Sequence, residues 1–189
     1  MINDKNFTGV NARNVAGRDV IEQNTIYSPT SPIMDLLTKL SEGEDTETQD
    51  YIDKLKDFMR SNGKESTEII GLEKKLHNGG AEQYYIEYAL ECKEEFSKIL
   101  EKNSTSCYTQ EVFAHLMSSI RTKFIHHVRP ELSNKKCCEV LNLLHKAVII
   151  PTIQLVIPNP LNINEELICG MLFYLTGNCH VEWGNAGLQ

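Results

Sequence analysis

The sequence predicts a mainly α protein: a helical bundle-like domain, preceded by a β-hairpin and closed by a short C-terminal strand. Three observations predict it. From Pro32 onward, apolar residues recur at spacings of three and four, which is the signature of one buried helix face. The first thirty residues do not follow that period, and "VNARNVAGRDVIEQNTIY" is rich in Asn, Val, Ile and Thr instead. The segment "GNCHVEW" near the C-terminus alternates side-chain character residue by residue, the period of a strand. The expected division is 1–30, an N-terminal assembly hairpin, and 31–189, the helical domain.

Each element has a local reason. Val10–Val15 and Val20–Ile26 read as strands around the turn "AGRD", with Gly17 where positive φ is needed. A lone hairpin is marginal in water, so it pairs with another chain, packs on something or stays unstructured. "SPTSP" separates it from the body, and Ser31 and Pro32 suit the N-cap and first turn of a helix through Leu40. Ile52, Leu55 and Phe58/Met59 define the next helix, ended by Asn62-Gly63. A short helix is expected over Glu65–Leu76, stopped by "HNGG", and a long one over Ala81–Lys102. The long helix buries Tyr85, Tyr88/Ala89, Cys92, Phe96 and Ile99/Leu100, with Glu94 and Lys98 placed for i,i+4 pairing on the other face.

Thr109–Val128 is the following helix, striped by Phe113, Leu116/Met117, Ile120, Phe124 and Val128. Ser133 is the expected cap of a helix whose inner positions are Cys137, Leu141, Leu144 and Val148. That helix either ends before Pro151 or continues kinked through Leu155. Asn162 and Glu165 have capping-box spacing. They open a last helix, Ile163–Thr176, which is apolar nearly all round and hence central. Gly177 is its expected C′ residue.

Composition narrows the function classes. The chain of 189 residues is 41% hydrophobic and 24% charged, with a net charge of −7. An acidic protein argues against sequence-independent nucleic-acid binding, which depends on phosphate neutralisation. The acid is uneven: "SEGEDTETQD" carries five carboxylates and no base. The six cysteines read as reduced, packed thiols, because "MINDKNFTGV" has no signal-sequence pattern. No apolar run reaches the roughly twenty residues that span a bilayer, since Pro151 and Gln154 break "AVIIPTIQLVIP". The expected location is cytoplasmic, away from membranes.

No catalytic or metal constellation emerges. Cys179 and His180 are adjacent, and neighbours in a strand point to opposite faces, which argues against a nucleophile–base pair. His126-His127 and Cys137-Cys138 lack the spacing of structural zinc motifs. No cofactor is implied. Arg121, Lys123, Arg129, Lys135 and Lys136 make "RTKFIHHVRPELSNKK" the most basic stretch. It is either a solvated face or a contact for an acidic partner or nucleic acid.

Two segments carry a family resemblance: "YIEYALECKEEFSKILEKNSTSCYTQEVFAHLMSSIRTKF" and "INEELICGMLFYLTGNCHVEWGN". Together they resemble C-terminal domains of ABC-three-component systems, in which a Gly-Met-aromatic helix leads to a Cys-His-x-Trp segment. The resemblance implies a bacterial anti-phage complex with an ABC or SMC-like ATPase, a middle component and an effector. It implies a non-catalytic adaptor that links effector to ATPase. The segment "NVAGRDVIEQN" is similar to short Gly-Arg-Asp segments that precede some defence modules.

On this reading Cys179, Val181 and Trp183 point inward, and His180 and Glu182 are available to a partner. Gly17, Gly177, Cys179 and Trp183 are structural. Arg18 and Asp19 belong to the assembly segment, which joins copies or partners into a homo-oligomer or hetero-complex. Two alternatives stand beside it: a Cys179/His180-dependent hydrolase and a small nucleic-acid sensor using the basic stretch.

Overall fold

The computed structural model describes residues 32–42, 49–60, 71–156 and 159–183. The expected N-terminal hairpin, with Gly17, Arg18 and Asp19, lies outside the described residues. Those described are mostly helical, and none of them forms a strand. In order the helices are α1 (Pro32–Glu42), α2 (Gln49–Met59), α3 (Leu72–Asn78), α4 (Gln83–Lys102), α5 (Cys107–Lys123), α6 (Cys137–Leu144), α7 (Ile150–Ile153) and α8 (Glu165–Gly177).

The core is built on the α4–α8 pair, with α5 packed against α8 and α1 and α2 laid on α5. α8 buries Leu167, Ile168, Gly170, Met171, Leu172, Phe173, Leu175 and Thr176, which confirms a central helix. Gly170 sets the spacing of the pair. A Cβ there would lie 2.5 Å from Cys92 O and 2.8 Å from Phe96 Cβ, so only glycine lets the two backbones come this close.

Several expectations hold at residue level. On α5, Phe113, Leu116, Met117 and Ile120, with Phe124 and Val128 beyond it, are all buried. Glu94 and Lys98 pair at 2.7 Å on the exposed side of α4. The inner stripe of α4 runs Ile86, Ala89, Cys92, Phe96 and Leu100, as expected except that Ile86 takes the fully buried first position and Tyr85 is partly buried beside it. Tyr88 lies at the rim, 37% exposed, with its ring edge-on to Phe173 at 6.3 Å.

Other boundaries move for identifiable reasons. α5 starts at Cys107, two residues before the expected Thr109, and Ser106 caps it; its Oγ accepts from Thr109 N–H at 3.4 Å. α5 then loosens into a π turn, Phe124–Val128. α6 starts after Lys136 rather than at Ser133. Lys136 N–H donates to Glu139 Oε2 at 3.0 Å, and the inner positions become Val140, Leu144 and Val148. The helical path passes through Pro151 instead of ending before it. Proline lacks an N–H and crowds the carbonyl four residues back. A π turn at His145–Ile149 lies directly upstream, and a 3-10 turn at Gln154–Val156 follows α7.

This run, Cys137–Val156, is long and apolar enough to cross a membrane by length and composition. It is longer than the sequence suggested, because Pro151 and Gln154 interrupt the apolar pattern and not the helix. Here Val140, Leu144, Val148, Ile149 and Val156 face the core. α8 is capped by Asn164 and not Asn162: Asn164 Oδ1 accepts from Leu167 N–H at 2.8 Å. Asn162 instead takes φ 52°, a left-handed conformation that Asn tolerates.

Candidate docking site

The segment after α8 is a helix stop, not a strand. Asn178 is the C-cap. Cys179 follows with φ 63°, its N–H donating to Thr176 O at 3.2 Å, while His180 N–H donates to Leu175 O at 2.9 Å. These are the two bonds of a Schellman motif. The left-handed residue is therefore Cys179, and Gly177 is the last helical residue. The expected C-terminal strand is replaced by this turn and a short extended stretch to Trp183. Side-chain alternation survives in part: Val181 and Trp183 are buried and Glu182 is exposed.

The turn is fastened on several sides. Lys75 Nζ of α3 donates to Thr176 O at 2.6 Å and lies 3.2 Å from Cys179 Sγ. Asn178 Nδ2 donates to Phe58 O at 3.1 Å. His180 is not turned outward. It is only 8% exposed, its Nε2–H donates to Arg60 O at 3.0 Å, and its ring meets Phe58 edge-on at 5.4 Å. The physical reason is the turn itself: positive φ at Cys179 swings His180 under the end of α2, whose last carbonyls need donors. Trp183 packs on Phe124 at 5.5 Å and hydrogen-bonds Thr176.

Cys179 and His180 are thus held by different elements, α3 and α2. The other thiols are unbridged. Burial pushes the Cys169 thiol up to about 11, and burial likewise raises Cys92. Such thiols stay protonated and act as packing groups. Among the described residues no three His, Cys, Asp or Glu side chains group around a point that could hold a metal ion.

The five basic residues do not form one patch. Lys123 is drawn inward, its Nζ donating to Ser119 Oγ at 2.9 Å and Thr152 Oγ1 at 3.1 Å, and burial lowers its pKa. Arg129 faces Glu182 at 3.8 Å, and Lys135 faces Glu131 at 3.3 Å. Lys136 is exposed. Arg121 alone joins a cleft, of about 630 Å³, between α2, α5 and the C-terminal turn.

That cleft is lined by Lys54, Asp57, Phe58 and Arg60 from the α2 side, Ser118 and Arg121 from α5, and His180. Sequence reasoning missed it. Lys54 and Arg60 sit on an ordinary amphipathic helix and its end, and only tertiary folding brings Arg121 and His180 to them. Across α2 lies a second, apolar groove of about 500 Å³, lined in part by Leu55, Met59, Leu100 and Tyr174. Met59 is 50% exposed there.

The helical domain is thus closed by a fastened C-terminal turn, with one cleft and one groove on the two flanks of α2. Residues 71–183, more than half of the chain, match the family model described as C-terminal domain 9 of the ABC-three component (ABC-3C) systems. The chain belongs to that family, and as a domain of a multi-component system it has protein partners. No curated protein and no solved structure matches it.

Proposed function

We propose that the chain is a non-catalytic adaptor of a cytoplasmic anti-phage complex, coupling an effector to an ABC or SMC-like ATPase and its middle component. One observation carries this reading. The residues with the most chemical promise, Cys179 and His180, lie inside the matched region and serve to close the fold, each held by a different helix. Residues 1–30 are the proposed assembly element that joins copies or partners.

Co-expression with an ABC or SMC-like ATPase and middle component of the same system tests the adaptor role. The expected result is a stable complex on size-exclusion chromatography. A chain that elutes alone at micromolar concentration, with the ATPase complete without it, would overturn the reading. The proximity of Lys75 Nζ to Cys179 Sγ is the observation favouring a hydrolase instead. Full protection against phage by Cys179→Ala removes that alternative, and loss of protection with an intact complex supports it.

A further inference from the structure

Lys75 and Cys179 stand 104 positions apart in the chain and share one anchor. Thr176 O accepts from Lys75 Nζ at 2.6 Å and from Cys179 N–H at 3.2 Å. A single carbonyl thus holds both the amine and the backbone that carries the thiol, and Nζ comes to 3.2 Å from Sγ. On the far side of Cys179, His180 N–H donates to Leu175 O at 2.9 Å and pins the chain there. Lys75 and Cys179 are both partly buried, so the contact is held in place and still open to small molecules.

The pair is set apart from the other sulfur in the chain. All six cysteines are unbridged, Cys92 is buried and Cys138 is exposed. Among the described residues, Cys179 is the one whose sulfur meets a lysine amine. A partly exposed thiol facing a cation is the kind that hydroperoxides oxidise. A nucleophile already in contact captures the sulfenic acid before a second oxidation. We propose that Lys75 and Cys179 form an oxidative cross-linking site, where a hydroperoxide converts the contact into a covalent Sγ–Nζ bond between α3 and the C-terminal turn.

The chemistry takes two steps. The hydroperoxide transfers an oxygen to Sγ: an S–O bond forms, the O–O bond breaks, and water or an alcohol leaves with the thiol proton. Sulfur is oxidised by two electrons and the peroxide is reduced by two. Lys75 Nζ, having given one proton to solvent, then attacks the sulfenic sulfur. The S–N bond forms, the S–O bond breaks, and the hydroxyl leaves with an amine proton as water. Two equivalents of a small thiol reverse the link, restoring thiol and amine and leaving the small thiol as its disulfide. The link ties α3 to the turn that carries His180 and Trp183, and it does not depend on the adaptor reading.

The experiment treats the reduced full chain with hydrogen peroxide, digests it without reductant and maps the peptides by mass spectrometry. Peptides carrying Lys75 and Cys179 should come out joined, about 2 Da below their sum, for the two hydrogens the link removes. Dithiothreitol should separate them. Peroxide should also raise Tm by several degrees, as a loop-closing bond does. Lys75→Arg keeps the cation without the nucleophilic amine. Its Cys179 should stop at the sulfenic acid, trapped by dimedone, with no link and no rise in Tm. Should that variant fail to fold, Cys179→Ser should likewise show no link, whereas Cys138→Ser should keep it. Cys179 recovered from the wild-type chain unjoined, as a sulfinic acid or as a disulfide, overturns the proposal. So does a link that survives Lys75→Arg or Cys179→Ser, or one that is lost in Cys138→Ser.

Discussion

Trp183 donates its indole Nε1–H to Thr176 Oγ1 at 3.1 Å, one residue before the end of α8. The same hydroxyl donates to Leu172 O at 2.9 Å, so its donor and acceptor capacities are both used inside the core. Thr176 O in turn accepts from Lys75 Nζ. The pair ties the last described residue to the central helix.

The pair's worth can be measured by a double-mutant cycle. Thr176→Val keeps the shape and strands a buried indole N–H, at a cost of about 1–3 kcal/mol. Trp183→Phe empties part of the site beside Phe124 and removes the donor. The two together should cost less than the sum of the singles, because the stranded donor is gone. Trp183→Ala should cost about 3–5 kcal/mol. Chemical denaturation of the four proteins checks this; strict additivity would show that the bond contributes nothing.

Two glycines of α8 should respond oppositely to alanine. Helix propensity favours alanine by about 1 kcal/mol at each. At Gly170 the new methyl meets the backbone oxygen of Cys92 at 2.5 Å, which cannot retreat without moving α4. Overpacking of about 1–3 kcal/mol or more then dominates. At Gly177 the methyl meets Lys93 Nζ at 2.7 Å, the free end of a flexible chain that simply rotates away. Gly170→Ala should lower Tm by several degrees, and Gly177→Ala should leave it equal or higher. Equal effects at both sites would sink the close-approach argument.

What the sequence made legible follows from range. The α5 stripe and the centrality of α8 rest on long apolar periods, and those are local. The end of α8 was misread because Gly177 offers the usual left-handed signal two residues before Cys179 takes that conformation. A period of two over six residues does not separate a strand from a turn with an extended tail. His180 was read as outward because its acceptor, Arg60 O, lies 120 positions away. The cleft between α2 and α5 was invisible for the same reason: Lys54, Arg60, Arg121 and His180 share no sequence window. Asn162 has capping-box spacing to Glu165, yet α8 starts two residues later than expected and Asn164 is its cap.

His115 predicts a pH dependence. It is half-buried on α5, and its pKa is lowered from 6.5, first by burial and second by the charge of Lys54. The unfolded chain therefore binds a proton at higher pH than the folded one. Above about pH 6.5 both states are neutral and the contribution is fully present. As pH falls through 6.5 toward the lower folded value, stability is lost, and below that value the loss levels off. His115→Gln should flatten that part of the curve above the carboxylate range. Identical pH profiles for the two proteins from pH 7 to about pH 5 would show that His115 is not the titrating group.

The last prediction concerns Cys179. A non-glycine residue in the left-handed region costs about 1–2 kcal/mol, and Cys179 sits there with φ 63°. What opposes that cost is local: the two Schellman bonds and the contact of Sγ with Lys75 Nζ at 3.2 Å. Lys75 keeps its bond to Thr176 O in any variant at this position, so the thiol contact is dispensable. Cys179→Gly removes the steric cost and keeps both backbone bonds. It should raise stability by about 1 kcal/mol, or roughly 2–4 °C in Tm for a chain this size. Cys179→Val has the opposite sign, because a β-branched side chain fits this conformation worst. It should lower Tm and loosen His180 and Trp183, readable as a shift in tryptophan emission. A glycine variant less stable than the wild type would show that the sulfur–ammonium contact outweighs the strain. That result would make the Lys75–Cys179 pair, not the Schellman turn, the main fastening of the C-terminal segment.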